Sequence, residues 1–365
     1  MKKIIIVCGI ITFFNSIIFS QDLKLGKFSA QVFADYFYNV SRDSNFSSLN
    51  NTATEGTQDL NGFVLRRASL NYDMDISKKF SARFRIEADS KSNTTNNRIG
   101  VFIKDAYLKW NDIFEGSSLL VGIQPTPSFT ISEKHWGYRS LEKTIQDLRG
   151  FVPSRDFGLA LMGQLSESNK FNYVVMFGNN SANSPENDKY KRYYASVDFS
   201  PLKNFTVALT GDFKSRASID DPNNANEKLA NNSILGSLFL GYSEKENFTL
   251  GLETVMQINQ NSWQSSNLSG PVEVKNINSL GLSVFGSIWI TESIAPLLRY
   301  DFFDSNIDGD SKSDSRNYIL AGIDFKMDKS VSIIPNIIYE SYENTPTGVS
   351  IDPSLTARVT FYFNF

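Results

Sequence analysis

The residues most able to do chemistry are scarce. The chain of 365 residues contains one histidine, His135, and one cysteine, Cys8. One residue of each type cannot supply the Cys and His ligands of a zinc site or the pairs of a disulfide framework. His135 could act as a catalytic base only beside a nucleophile and an acidic partner, and no motif provides them. We therefore interpret His135 as an exposed loop histidine, and we predict neither an enzymatic activity nor a cofactor.

A second candidate for chemistry is the acidic segment that begins at Asp304. Asp304, Asn306 and Asp308, followed by Gly309, match the opening of a calcium-binding loop. The twelfth position is Ser315 rather than a bidentate glutamate. The three residues are therefore a calcium candidate, and the commoner interpretation is a polar hairpin loop rich in Asp and Asn.

The remaining charged residues occur mainly at alternate positions. In Phe80–Asp89 and again in Leu355–Phe365, apolar residues alternate with polar ones throughout. A period of two predicts strands with one apolar and one polar face. We place about 16 such segments, an even number as in bacterial membrane barrels. They lie near residues 27–40, 62–76, 80–92, 99–110, 119–124, 156–165, 171–179, 190–200, 205–214, 233–242, 248–259, 276–290, 295–303, 316–327, 331–340 and 353–365.

The connectors and the aromatic residues support a barrel. Short connectors alternate with longer ones that are rich in Asn, Ser, Asp and Gly. Aromatic residues recur on the apolar face beside the short connectors, as in the interfacial girdles of membrane barrels. They are Phe80, Trp110, Phe171, Phe199, Phe205, Tyr242, Phe248 and Phe325. The sequence therefore predicts one all-β domain over residues 21–365, a transmembrane antiparallel barrel with short periplasmic turns and long extracellular loops. The alternative is a secreted protein of several soluble β-sandwich domains.

Residues 1–20 have the order of a secretory signal peptide. Lys2 and Lys3 precede an apolar stretch, Ile4–Phe19, and the small residue Ser20 follows it. We therefore expect cleavage after Ser20 and export. The net charge of −3 suggests no nucleic-acid partner.

The polar face of the barrel should line a water-filled lumen. Its predicted cations are Arg67, Arg83, Arg85, Lys91, Lys109, Lys214, Arg299 and Arg358, and its predicted anions are Asp35, Asp73, Asp75, Glu87, Asp89, Asp105, Asp198, Asp212, Glu253, Asp301 and Asp324. Charges of both signs would set up a transverse field across a pore, although any one pair could simply neutralise itself. Arg66, one position away from Arg67, is expected to point outward to the headgroups.

The longest connector, 125–155, is a candidate for the narrowest part of the pore. Ser140 as N-cap, apolar residues at helical spacing and Gly150 predict a short helix over 140–149. Its cations Lys134, Arg139, Lys143, Arg149 and Arg155 outnumber Glu133, Glu142 and Asp147. Folded inward, this third long loop would narrow the pore and favour anions. The alternative is an external loop that covers the barrel mouth.

Four stretches carry a resemblance to a known family. They are Gly62–Tyr72 (GFVLRRASLNY), Lys104–Leu108 (KDAYL), Val121–Phe129 (VGIQPTPSF) and Pro153–Gly163 (PSRDFGLALMG). Together they resemble the phosphate-selective porin O/P family of outer-membrane porins. The second half of the chain is similar only in strand rhythm and in Phe365, which looks like a barrel-assembly signal. The sequence departs from the family after Gln124, where Pro125 stands in place of a basic residue.

The resemblance implies a 16-stranded barrel in the outer membrane of a Gram-negative-type bacterium, usually a trimer, with the third long loop in the pore. The partners it implies are outer-membrane lipid and small hydrophilic solutes or anions such as phosphate. We therefore expect a porin for passive diffusion, with a preference for anions as the finer prediction. The alternative is a non-conducting barrel that binds or displays something through its loops.

Overall fold

The alternating segments form sixteen antiparallel strands that close into a barrel, within the residues that the structure describes. This computed structural model describes residues 26–44, 56–93, 98–165, 171–244, 247–265, 270–308, 315–344 and 348–365. The strands are β1 (Lys27–Ser41), β2 (Asn61–Asp75), β3 (Phe80–Asn93), β4 (Ile99–Phe114), β5 (Ser117–Pro125), β6 (Arg155–Gln164), β7 (Phe171–Gly178), β8 (Arg192–Leu202), β9 (Phe205–Lys214), β10 (Ile219–Asp221), β11 (Asn224–Leu229), β12 (Ser233–Glu244), β13 (Phe248–Gln264), β14 (Val274–Ile288), β15 (Ile294–Asp304), β16 (Ser315–Asp328), β17 (Val331–Tyr342) and β18 (Ser354–Asn364). The helices are α1 (Thr130–Trp136) and α2 (Ile145–Leu148).

The predicted barrel is confirmed. Each strand pairs with its neighbours in sequence, except that β9 pairs with β12 and the hairpin β10–β11 stands apart in the connector between them. The first and last strands close the sheet. The N–H of Ala30 donates to the carbonyl oxygen of Phe365 at 2.7 Å, and the N–H of Phe365 donates back to Ala30 at 3.1 Å. Closure leaves no sheet edge that would need water as a partner.

The outer face of the barrel is apolar. Phe84, Val121 and Leu298 point away from the lumen with 45%, 48% and 57% of their surface exposed. The aromatic residues beside the short turns meet across strand pairs, with ring centroids 5.6 Å apart for Phe80–Trp110, 5.9 Å for Phe171–Phe199 and 5.1 Å for Tyr242–Phe248. The soluble-sandwich alternative is wrong, because a sandwich would bury these side chains.

Two expectations fall outside the described part of the chain. Residues 1–20, the expected signal peptide, lie outside it, and so does the side chain of Lys91. No helix in the described residues has the length and hydropathy needed to cross a bilayer.

Two β-bulges change which residues face the lumen. In the β1–β2 ladder Phe33 pairs with Arg67 and Ala34 with Leu65, so Arg66 is an extra residue. Its guanidinium reaches inward to the carboxylate of Asp35. The prediction that Arg66 points outward is therefore wrong, because a bulge places two successive side chains on one face.

The second bulge lies in β4. Arg85 pairs with Asp105 and Ile86 with Ile103, which leaves Lys104 as the extra residue. Lys104 and Asp105 both face the lumen, and Lys104 Nζ lies 3.4 Å from Glu87 Oε1. A strict period of two assigns only Asp105 to that face.

The helix predicted over residues 140–149 is shorter in the structure, where α2 covers only Ile145–Leu148. A helix begins at Ile145, after Thr144 with φ −64° and ψ 163°, rather than at Ser140. The carbonyl groups of Ser140 and Leu141 instead accept hydrogen bonds from arginine side chains of the barrel wall. Carbonyl groups held in this way are not free to continue a helix. The helix α1 was not predicted.

The two faces of β3 give a direct test of the barrel. Phe84→Arg should destabilise the protein by about 2–4 kcal/mol, the cost of a lipid-facing arginine near the bilayer midplane. Arg85→Gln should alter conductance with little loss of stability. The free energy of unfolding in lipid and heat-modifiable migration in detergent gels measure both variants, with Phe84→Leu as control. Equal destabilisation by the two substitutions would show that the faces are assigned wrongly.

Candidate functional site

The connector of residues 126–154 lies inside the barrel against one side of its wall. Helix α1 contacts β12 and β13, and α2 contacts β14. Leu141, Ile145 and Trp136 of the connector are almost completely buried. The lumen-facing positions that meet them are apolar: Leu235, Phe239, Val255, Phe285, Leu297, Leu320, Ile334 and Ile338. One side of the lumen is therefore a dry packing surface rather than a wetted wall.

Glycines on this wall make room for the connector. A Cβ at Gly281 would lie 2.8 Å from Val255 Cγ1 and 3.1 Å from Ile145 Cδ1. A Cβ at Gly241 would lie 2.6 Å from the His135 ring. The wall is recessed where the connector side chains enter it.

Arginines of the wall hold the connector by its carbonyl groups. Arg66 and Arg358 donate to the Leu141 carbonyl at 3.0 and 2.8 Å. Arg299 donates to the carbonyl of Lys143. In the opposite direction, Arg149 of the connector donates to Glu340 of β17 at 2.7 Å, and both side chains are almost fully buried. These contacts join the connector to strands on both sides of the barrel seam.

Three of the predicted pore-lining cations therefore hold the connector in place. Arg299 lies beneath the connector, and Arg149 belongs to it and points into the wall. Each side chain is 1% exposed, and Arg299 pairs with Asp301 at 2.5 Å. The guanidinium of Arg299 also lies over the Trp136 ring. Arg358 anchors the connector and in addition lines a cavity on the loop side.

Two lumen cavities adjoin one another between the connector and strands β1 to β4. The loop-side cavity has a volume of about 620 Å³ and the turn-side cavity about 420 Å³. Six residues line both, and we call them the aperture: Phe33, Arg67, Lys104, Arg139, Asp147 and Ser154. Three of them are cations and one is an anion. The predicted residues Arg85, Lys134 and Arg155 line the turn-side cavity, and Lys143 lines the loop-side cavity.

The wall side of the aperture carries excess positive charge. Glu87 is shared by three cations, at 3.3 Å from Arg67, 2.9 Å from Arg85 and 3.4 Å from Lys104. One carboxylate cannot neutralise three cations. Arg155 pairs separately with Asp105.

The connector side of the aperture is a second ion-pair network. Arg139 lies 2.9 Å from Glu133 and 3.0 Å from Asp147, and Lys143 lies 3.6 Å from Asp147. Burial alone would raise the pKa of Asp147, but Arg139 and Lys143 hold it below its usual value, so the carboxylate is ionised. Across both networks six cations (Arg67, Arg85, Lys104, Arg139, Lys143, Arg155) face four carboxylates (Glu87, Asp105, Glu133, Asp147).

Further cations line the lumen above and below the aperture. Lys143, Arg192, Lys214 and Arg216 line a loop-side cavity of about 420 Å³, and Lys214 and Arg216 form no ion pair within the described residues. At the turn end, Arg83 and Lys109 line a cavity of about 680 Å³, where Arg83 pairs with Asp73 at 2.6 Å.

His135 is not the exposed residue that the sequence predicted. It is half-buried, with its ring 5.0 Å from that of Phe239 and Nδ1 3.1 Å from the Ile131 carbonyl oxygen. Burial lowers its pKa. The ring is used for packing between α1 and β12.

The calcium candidate residues form hydrogen bonds that close their loop. Asp304 Oδ1 accepts from the Asn306 N–H at 2.9 Å, and Asn278 Nδ2 donates to Asp308 Oδ2 at 3.1 Å. Within the described residues there is no group of three or more His, Cys, Asp or Glu side chains that could hold a metal ion. Gly309 and Asp310 lie outside those residues.

The whole barrel is similar to solved outer-membrane proteins. The channel DcaP of Acinetobacter baumannii superposes with a TM-score of 0.66 at 14% identity, over 93% of this chain and 97% of that one. An anion-selective porin from Comamonas acidovorans gives 0.60 at 11% identity, over 93% and 99%. OmpT of Vibrio cholerae, in a trimer form, gives 0.57 at 10% identity, over 93% and 99%. No family model and no curated protein sequence matches the chain.

The chain has the fold of the outer-membrane porins. With its apolar outer band and aromatic girdle, such a barrel lies in the outer membrane of a Gram-negative bacterium. The sixteen-stranded fold accounts for the wide lumen.

Sequence reasoning missed Arg66 and Lys104, because no residue type marks either bulge. The dry side of the lumen, in contrast, can be recognised in the sequence. Leu235, Phe239, Val255 and Phe285 are apolar residues on faces that a wetted lumen would make polar. Such positions indicate where an inserted connector covers the wall.

Filling the recess should displace the connector. Gly281→Val would place atoms against Val255 and Ile145, and conductance should rise as the connector moves off the wall. Gly236→Val is the matched control, because a Cβ there meets nothing within 4 Å. Single-channel recordings of both variants, with heat-modifiable migration to verify the barrel, make the comparison. Unchanged conductance in folded Gly281→Val would mean that the connector does not narrow the pore.

Proposed function

We propose that the protein is a porin through which small hydrophilic solutes and ions diffuse passively, with a preference for anions. The observation that carries this proposal is the aperture, where Arg67, Lys104 and Arg139 outnumber Asp147 between two lumen cavities. A barrel of sixteen strands is too wide for wall side chains alone to fill. The connector narrows it and brings charged groups to the narrowest part.

The proposed mechanism is electrostatic and involves no bond making. A low-dielectric wall confines the field of the cations, so the local concentration of anions rises where the lumen narrows. Arginine and lysine donors replace part of the hydration shell of a passing anion. The cations on the loop side, Lys214 and Arg216, extend the same field toward the mouth.

The finer features of the proposal follow the resemblance to the phosphate-selective porin O/P family. They are a homotrimer in the outer membrane and phosphate among the permeating anions. Pro125 stands at the position where that family carries a basic residue. We therefore assign the selectivity among anions to the aperture cations.

A planar-bilayer recording tests the proposal. The purified protein should form open channels whose reversal potential in a salt gradient indicates anion preference. A barrel that inserts without conducting would favour the alternative, a binding or adhesion protein that acts through its loops. A channel that conducts without a preference for anions would support the porin function and contradict the proposed anion selectivity.

Neutralising the aperture should reduce the preference for anions. Lys104→Gln and Arg139→Gln, singly and together, should shift the reversal potential toward cations, because Glu87, Glu133 and Asp147 then lose counter-charges. The shift should be largest at low salt, where screening is weakest. Lys109→Gln makes the same charge change at the turn end and should have a smaller effect. Equal shifts in all variants would assign selectivity to the whole lumen rather than to the aperture.

A further inference from the structure

Glu253 is a buried carboxylate that joins the two helices of the connector. It lies on β13 and is 1% exposed. Its Oε1 atom accepts a hydrogen bond from Ser132 Oγ of α1 at 2.9 Å and another from Gln146 Nε2 of α2 at 2.7 Å. Residues 137–144 separate the helices along the chain, and one oxygen of the wall brings them together.

Most of the other buried carboxylates of the wall are used differently. Six of them form an ion pair with an arginine or a lysine: Asp35, Glu87, Asp105, Asp212, Asp301 and Glu340. Asp156 and Asp324 are held by hydrogen bonds alone within the described residues, and neither of them joins the two connector helices. Glu253 forms no ion pair in the described part of the chain, and its Oε2 atom has no hydrogen-bond partner there. A buried acid is costly unless its hydrogen bonds compensate. The compensation here comes from the connector.

The two donors lie close to the aperture. Gln146 directly precedes Asp147, and Ser132 directly precedes Glu133, the two carboxylates that hold Arg139. Gln146 also reaches Ser237 Oγ on β12 at 3.2 Å, so the attachment spans two strands. A shift of either helix from Glu253 would therefore move an aperture carboxylate and the arginine bound to it.

We propose that Glu253 is a positioning residue for permeation, which fixes α1 and α2 to the wall and thereby sets the width of the aperture. This inference rests on the proposed porin function. Glu253 contacts no permeating solute. It acts through Arg139 and Asp147.

Removing the acceptor should loosen the connector without unfolding the barrel. In Glu253→Ala, single-channel traces should visit a second, larger conductance level at least about tenfold more often, because the hydrogen bonds from both helices are lost together. Glu253→Gln should restore the wild-type record, because an amide oxygen can accept both bonds. Asp198→Ala removes one lumen carboxylate that is bonded by Asn172 and should not produce the second level.

A chemical readout separates loosening from a change of charge. Ile145 of α2 is fully buried between the connector and the wall, and the only cysteine of the chain is Cys8. Ile145→Cys should react slowly with a charged thiol reagent in an otherwise wild-type barrel, and at least about tenfold faster when combined with Glu253→Ala. Heat-modifiable migration verifies that each variant is folded.

The outcomes distinguish the two proposals. A wild-type protein that does not conduct would overturn the porin function, while the cysteine reactivity would still report on the attachment. A conducting wild type, with Glu253→Ala unchanged in conductance levels and in reactivity at position 145, would overturn the role of Glu253. The second level appearing equally in Asp198→Ala would overturn it as well, because the cause would then be lost charge.

Discussion

A backbone group that faces hydrocarbon must find its hydrogen-bond partner within the protein, and the rest of this structure depends on that requirement. Closing β1 onto β18 meets it, with Ala30 and Phe365 exchanging hydrogen bonds at the seam. Closure with sixteen strands also fixes the circumference, and the resulting lumen is too wide for wall side chains to fill. In this chain a connector inside the barrel fills part of the lumen. The wall must then pack against the connector and form hydrogen bonds with its backbone.

The inserted connector divides the lumen into a dry side and a wet side. Where α1 and α2 pack, the wall consists of apolar residues and of glycines that make recesses, so burial of apolar surface holds the connector there. Its irregular backbone has carbonyl groups to satisfy, and Arg66, Arg299 and Arg358 donate to them. Buried cations are tolerable only when paired or hydrogen-bonded, and these are both. The unbalanced charge is left on the opposite side, at the aperture.

The sequence predicted the barrel well because its signal is periodic. In Phe80–Asp89 the two faces of the strand can be assigned from its own sequence, without knowledge of the neighbouring strands. The same pattern predicted all sixteen barrel strands. The candidate site was harder to predict for two reasons. A bulge shifts the period by one residue and depends on the register of a neighbouring strand, so Arg66 and Lys104 were assigned wrongly or overlooked. Burial between the connector and the wall depends on tertiary packing, so Arg149 and Arg299 were predicted to be pore cations although they hold the connector in place.

The two bulges and the connector are parts of one arrangement. Without the bulge in β2, a single arginine of that strand would have to serve both the connector and the lumen. With it, Arg66 binds the connector carbonyls while Arg67 remains at the aperture. The bulge in β4 likewise turns two successive residues of opposite charge toward the lumen. Asp105 pairs there with Arg155, and Lys104 lies beside Glu87. A regular strand presents only every second residue to the lumen, so neighbouring side chains cannot be used together there. The bulges remove that limit at the height where the connector faces the wall, and they place Arg67 and Lys104 together at the aperture.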